Sequence, residues 1–381
     1  MRGFDRSEYR RRTERAQSMM ADRGLAALFL TTEPEVRYFT GFLTRFWESP
    51  TRPWFLVLPA EGKPVAVIPS IGVPLMTKSW IEDIRPWTAP DLEDDGVSLL
   101  AATFRELVPN GGRIGVPDGH ETHVRMPAAD LERLRAAVEN RRFVGDGGIV
   151  RQLRIIKSAA EISKIEKACE IADRAFLRLP EIARCGVPLS EVFRRFQMLC
   201  LDEGADWVAY LAGGAEAAGY GDVISPAHDT ALSRGDVLML DTGLVWDGYF
   251  CDFDRNWTVG PAVPAVRDAH AQLVEASDAA FELARPGVTA AELFHAMNRV
   301  LCRGGASTDA GRLGHGLGMS LTEWPSLIPS DHTPLEAGMV LALEPGIAVG
   351  DKILVHEENI VITEGTPRYL SKRAGPGIME L

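Results

Sequence analysis

The chain has 381 residues with a net charge of −12, from 41 basic and 53 acidic side chains. The length predicts two domains, and the acidic balance argues against a nucleic-acid footprint over the whole chain. No apolar run is long enough to cross a bilayer, no signal-peptide core opens the chain, and five cysteines without a Cys-x-x-Cys pair fit a reducing compartment, so the expectation is a cytoplasmic protein with neither a membrane nor a nucleic-acid partner.

Ser7–Arg23 reads as an amphipathic surface helix. Leu25–Leu30, Trp54–Leu58, Val65–Ile68 and Arg113–Val116 are short apolar runs of the kind that form buried strands, and Ala60–Lys63 is a hairpin turn between two of them. Pro127–Ala137 has helical periodicity. These signals predict a compact α/β domain over residues 1–152. A second domain, 153–381, then opens on the capping box Ser158-Ala-Ala-Glu161, in which a hydroxyl and a carboxylate satisfy free N–H groups at a helix start. Its helix runs over Ala159–Leu179, a second over Ser190–Glu203, and a third follows the capping box Thr289-Ala-Ala-Glu292 to about Leu301. Val237–Leu240, Tyr249–Val259, Met339–Leu343 and Val355–Thr363 read as strands. Gly186-Val187-Pro188 and Pro286-Gly287-Val288 mark two similarly built halves.

The chemistry lies where apolar strands run into acids. Val237–Leu240 leads to Asp241, and Met339–Leu343 leads to Glu344. Asp252 and Glu358 stand in two further strands. Charges are seldom buried unless they are paired or bind a metal. The fifth element is His315, set between glycines in Gly314–Gly318, where the backbone leaves the imidazole unobstructed. Four carboxylates and one imidazole suit Mn, Co, Fe or Zn as divalent ions better than a thiolate-type metal. Two such ions carry a charge that four carboxylates balance, and metal pairs about 3.5–4 Å apart acidify water and polarise a carbonyl.

The order of these residues resembles the pita-bread metallopeptidase family of prolidase, aminopeptidase P and methionine aminopeptidase. The matching pieces are Leu240-Asp241-Thr-Gly, Gly248-Tyr249-x-x-Asp252, Gly314-His315-Gly-x-Gly, Leu343-Glu344-Pro-Gly and Glu358-Asn359. Val36–Phe42 and Arg154–Ile162 resemble the N-terminal signature and the domain junction of the prolidase branch. The resemblance implies a ribonuclease-H-like (creatinase-type) N-terminal domain, a pita-bread α/β catalytic domain and a homodimer. It implies that Asp241 chelates one metal, that Asp252 and Glu358 bridge, and that His315 and Glu344 hold the other. It implies hydrolysis of small peptides in the Xaa-Pro manner, with Glu344 also the proton shuttle.

The chain departs from that pattern around the ligands. A substrate histidine expected seven residues after His315 is Thr322. One expected about seventeen residues before Asp241 falls on Ile224; His228, four residues on, is open to two readings, its substitute or a surface-turn residue. A third, expected four residues before His315, is Gly311. Asp252, Asp254 and Asn256 share a strand face by alternation, so Asp254 either supports the ligands or pairs with an arginine, with Arg255 adjacent. His356 shares a face with Glu358 and either contacts substrate or hydrogen-bonds a ligand. Glu357 falls on the opposite face and reads as a surface or supporting residue. These departures keep two rivals in view. One is a non-peptidase member of the same superfamily, a small-molecule amidohydrolase or an enzyme like dimethylsulfoniopropionate lyase, whose Glu-Trp-Pro run resembles Glu323-Trp324-Pro325. The other is a binding protein on an inactive scaffold, which the retained ligand set disfavours.

Overall fold

The apolar runs of the first half become strands of one sheet. In the computed structural model, which describes residues 2–49, 52–303 and 311–381, the chain divides into Met1–Arg154 and Ile155–Leu381. In the first unit β1 (Ala27–Leu30), β2 (Phe55–Pro59), β3 (Val65–Pro69), β4 (Asp83–Trp87), β5 (Arg113–Val116) and β6 (Arg142–Gly145) lie in the order β4-β3-β2-β1-β5-β6. The β1–β2–β3 steps are antiparallel and the remaining steps parallel. Strands β1, β2 and β3 are buried along their whole length, which is why they read as continuous apolar runs instead of alternating ones. Phe29, Phe55, Phe104 and Phe143 interlock in the core on one face. The Val36–Gly41 motif is a short helix, Glu33–Thr40, opened by a Thr32/Glu35 capping box. It closes at Gly41 (φ 77°), where a side chain would collide with the Tyr9 ring.

The second unit repeats one plan twice, a helix pair followed by a sheet. Helices Ala159–Leu177 and Leu189–Asp202 precede β7 (Trp207–Ala217), β8 (Asp236–Trp246), β9 (Tyr249–Phe250) and β10 (Phe253–Thr258). Helices Pro264–Leu283 and Ala290–Leu301 precede β11 (Gly314–Gly316), β12 (Glu323–Ser326), β13 (Val340–Leu343), β14 (Gly346–Val349), β15 (Lys352–Val355), β16 (Glu358–Val361), β17 (Arg368–Tyr369) and β18 (Met379–Glu380). Both expected capping boxes form, at Ser158 and Thr289. One sheet runs β18-β10-β8-β7, with β9 on β8; the other runs β12-β11-β13-β16-β17, and β14 and β15 form a separate hairpin.

Two stretches that read as single strands are broken, and both breaks carry acids of interest. Tyr249–Val259 is interrupted at Cys251-Asp252, between β9 and β10. Val355–Thr363 is interrupted at His356-Glu357, between β15, which pairs with β14, and β16, which pairs with β13. The Asn359 side chain ties one break to the other sheet. Its Oδ1 accepts from the Asp252 N–H at 2.9 Å, and its Nδ2 donates to the Asp252 carbonyl. The long helix Pro264–Leu283 has no cap box and many alanines, and left no comparable mark in the sequence. No helix among the described residues is long and apolar enough to cross a membrane.

Candidate metal centre

Each chemical side chain is delivered by a strand or a strand end of the second unit. Asp241 lies within β8, directly opposite Asp254 on β10. Asp252 immediately precedes β10, His315 is central in β11, and Glu344 follows β13. Glu357 occupies the break between β15 and β16. All six line one cavity of about 750 Å³. His315 Nε2 stands 3.3 Å from Asp252 Oδ2 and 3.7 Å from Glu344 Oε2. Its Nδ1 lies 2.8 Å from the Gly316 carbonyl, which can only accept. Nδ1 therefore carries the hydrogen, and in the neutral ring Nε2 presents a lone pair to the cavity. Asp252, His315 and Glu357 each bring a ligand atom to within 4.8 Å of the others.

These acids are poorly matched to an empty interior. Burial pushes the carboxyl pKa of Asp241 and of Glu357 well above the usual carboxylate range, and the charge of Asp252 raises both further. Asp252 is raised by burial too, against the opposing hydrogen bond and charge that His315 supplies when its ring is protonated. Asp241 Oδ1 and Glu357 Oε1 are buried with no hydrogen-bond partner among the described residues. Orphaned acceptors crowded in this way need either protons or cations. The donors are carboxylate oxygens and one imidazole nitrogen, which fit divalent ions of the borderline class.

The structure corrects the last acid of the set. Glu358 faces away from the cavity. Arg255 Nη2 donates to its Oε2 at 3.0 Å, the Ala374 N–H to its Oε1 at 2.7 Å, and the Ser371 hydroxyl to its Oε2. Burial alone would raise its pKa, but Arg255 and His356 overcome that and hold it down at about 2. A carboxylate so fully claimed has nothing left for a metal. Its neighbour Glu357 points the opposite way, as successive residues of extended chain do, and supplies the cavity's acid. Glu357 is therefore neither a surface residue nor a supporting one.

The other expected residues divide. Asp254 and Thr322 line the cavity. Asp254 accepts from Asn256 Nδ2 at 3.1 Å, and burial raises its pKa to about 6. Arg255 lies behind the centre, where it also donates to the Glu357 carbonyl at 2.8 Å. His356 is corrected as a substrate-facing residue: it shares Glu358's side, with Nε2 3.4 Å from Glu358 Oε1 and its ring 5.9 Å from that of His270. His228 is corrected likewise. It is exposed in a turn where its Nδ1 accepts from the Thr230 N–H, and it is not among the cavity's lining.

Sequence reasoning missed three cavity residues. Glu357 was hidden by its acidic neighbour. Arg312, whose Nε donates to Glu344 Oε1 at 2.9 Å, stands three residues before His315 and was there to be read as a cation beside the glycine loop. Tyr210, from β7, gave no signal. Burial and then the Asp241 charge raise its phenol pKa, so it faces the acids as a neutral donor.

Fold and cavity together define a two-unit α/β protein whose second unit carries a carboxylate–histidine cluster able to hold metal ions. Residues 163–364 match the model of metallopeptidase family M24, and residues 12–156 match the creatinase/prolidase N-terminal domain. The chain belongs to metallopeptidase family M24 and is a metal-dependent hydrolase with the pita-bread fold. A probable dipeptidase PepE from Mycobacterium tuberculosis is 29% identical over 97% of this chain and 98% of its own. An Xaa-Pro dipeptidase from Pyrococcus horikoshii is 33% identical over 65% of this chain and 71% of its own. The crystal structure of dipeptidase PepE from Mycobacterium ulcerans superposes with a TM-score of 0.85 at 30% identity, covering 99% of both chains.

Proposed function

We propose that the chain is a two-metal peptidase that cleaves short peptides, of the Xaa-Pro dipeptidase or aminopeptidase kind. The observation that carries this reading is the convergence of Asp241, Asp252, Glu344, Glu357 and His315 on one cavity of about 750 Å³, a volume suited to a small ligand. Asp241, Asp252, Glu344, Glu357 and His315 would together hold the two ions. Two divalent ions there, Mn, Co, Zn or Fe, would supply Lewis acidity and an acidified water.

The chain's own residues do the rest. Glu344, partly exposed and at the cavity edge, takes a proton and returns it to the leaving amine. Tyr210 keeps its proton and can donate a hydrogen bond to a substrate oxygen. Thr322 offers a hydroxyl but cannot act as a base near neutral pH. A homodimer in the cytoplasm belongs to this reading, and five free cysteines fit it; light scattering giving a monomer mass would remove the dimer.

The test is a panel of dipeptides with varied residues on both sides of proline, assayed with Mn²⁺ or Co²⁺. Hydrolysis that stops on chelation and returns with metal is expected. Activity surviving exhaustive chelation would sink the reading. One observation favours a second reading, a non-peptidase amidohydrolase or lyase-like enzyme: His315 is the sole histidine among the described residues lining the cavity. Metal uptake without cleavage of any peptide in the panel would favour it.

A further inference from the structure

The second unit encloses a smaller cavity of about 170 Å³ behind the metal centre, with Arg255 in its wall. The helix Ala159–Leu177 brings Asp173, Phe176 and Leu177 to it, and the helix Pro264–Leu283 brings His270. The chain after β17 closes it with Lys372, Arg373 and Met379. None of these residues lines the metal cavity.

Two of its cations are already matched. Arg255 Nη2 donates to Glu358 Oε2 at 3.0 Å, and Arg373 Nε donates to Asp278 Oδ1 at 2.8 Å. Asp173 and Lys372 differ, for neither forms an ion pair among the described residues. Asp173 Oδ2 accepts the Lys372 backbone N–H at 2.8 Å, and its Oδ1 accepts nothing among the described residues. Burial raises the Asp173 pKa to about 6 against the pull of Arg255, which marks a carboxylate short of counter-charge. Lys372 is exposed, and its ammonium donates to nothing among the described residues. His270 adds a third unmet group. It is 4% exposed, and its Nδ1 is buried with no hydrogen-bond partner among the described residues. Burial and then the neighbouring His356 lower its pKa to about 4, so the ring is neutral. The Gly375 carbonyl takes the hydrogen of the other ring nitrogen, and Nδ1 is left as a bare acceptor. A buried acceptor without a partner calls for a donor.

We propose that this cavity binds a free α-amino acid with a small apolar side chain, at a site separate from the metal centre. The ammonium donates to Asp173 and to His270 Nδ1, and the carboxylate meets Lys372. The side chain lies against Phe176, Leu177 and Met379, which supply the apolar part of the lining. One unmatched acid and one unmatched cation suit a zwitterion and disfavour a ligand of net charge. A cavity of about 150 Å³ holds benzene, so this one has room for a proline or leucine side chain. The proposal rests on the peptidase reading only for the source of the ligand, since cleavage of short peptides releases such amino acids. Arg255 also donates to the Glu357 carbonyl at 2.8 Å, so the occupant touches the residue that sets Glu357 in the metal cavity.

The experiment is calorimetric titration of the full chain in chelator, where no turnover occurs and no metal can take the carboxylate. The probes are proline and leucine, with N-acetylproline and prolinamide as controls that each lack one charged end. Losing a charge-assisted hydrogen bond should weaken binding by roughly tenfold or more. The expected result is that proline or leucine binds more tightly than either control. That binding weakens in Asp173→Asn and in Lys372→Gln, and holds in Arg312→Gln, a change in the metal cavity. No binding of either amino acid at millimolar concentration overturns the proposal, as does equal binding of the controls. Weakening in Arg312→Gln without weakening in Asp173→Asn places the amino acid in the metal cavity and also overturns it. Thermal unfolding of each variant separates loss of fold from loss of recognition, and Lys372, being exposed, can be changed even if Asp173→Asn does not fold. Failure of the peptidase reading would show separately, as no metal-dependent hydrolysis beside an intact preference for the zwitterion.

Discussion

Arg255 and Glu358 form a buried ion pair behind the metal centre, Nη2 to Oε2 at 3.0 Å, with side-chain exposures of 6% and 1%. The pair decides which of two consecutive acids enters the cavity. With Glu358 turned back to Arg255, Glu357 faces Asp241 and Asp252. The two glutamates should therefore fail differently. Glu357→Gln removes a ligand and should lower activity by at least about a hundredfold, since even partners outside the ligand set cost 10–100-fold, while the protein stays folded. Glu358→Gln leaves Arg255 buried without its counter-ion, a loss of about 3–5 kcal/mol. Its thermal midpoint should drop by several degrees while metal stoichiometry holds. Elemental analysis and thermal unfolding of both variants check the pair, and equal metal content in Glu357→Gln and the native chain would contradict the assignment.

Loading the centre should release protons. Burial and mutual repulsion raise the pKa values of Asp241, Asp252 and Glu357 together, so the metal-free cavity retains protons that ligation must displace. The apparent enthalpy of Mn²⁺ binding near neutral pH should then depend on the ionisation enthalpy of the buffer. Its slope should fall in Glu357→Gln, which has one fewer acid to empty. A buffer-independent enthalpy would mean that the cavity binds metal without giving up protons.

Asp254 sets a pH trend for the metal-free protein. Burial raises its pKa from 3.8 to about 6, against the opposing charges of His356 and Arg255. The folded state therefore binds the proton more tightly than the unfolded chain. Its stabilising contribution is complete below about pH 3.8 and is lost as pH rises through about 6. The amount at stake is roughly 3 kcal/mol, at about 1.4 kcal/mol per pKa unit. Asp254→Asn carries no such loss, so its stability relative to the native chain should improve between pH 4 and pH 7. Urea unfolding at both pH values, in chelator, measures this; a constant difference would remove Asp254 from the account.

How much of this was legible in the sequence follows from how each residue is held. Asp241 and Glu344 end or interrupt long apolar strands, so the anomaly of an acid in a buried run marked them. His315 was marked by its glycines. The choice between Glu357 and Glu358 was not legible, because it depends on Arg255 from β10 reaching across to β16. The strand break at His356-Glu357 is marked only by the polar run His356–Asn359, which gives no sign that the chain leaves β14 for β13 there. His228 drew notice by its place in the chain, and only the turn's direction shows that it leaves the cavity. In the first unit the buried strands stood out, while β4 and β6, half exposed, did not.

Asn359 joins the two sheets at the point where the centre is assembled, and its removal tests whether that joint positions Asp252. The side chain has no exposure, and it holds both the N–H and the carbonyl of Asp252. Without it, two buried backbone groups lose their partners at once, each costing about 1–3 kcal/mol. Asp252 sits in a strand break and has no ladder of its own to keep it in place. Asn359→Ala should therefore reduce stability by a few kcal/mol, and should also weaken metal binding even at temperatures where the protein is fully folded. Asn359→Asp, which keeps the acceptor and loses the donor, should fall between. Titrating Mn²⁺ into each variant well below its unfolding temperature separates the two effects. Native metal affinity in a folded Asn359→Ala would mean that the joint serves stability alone.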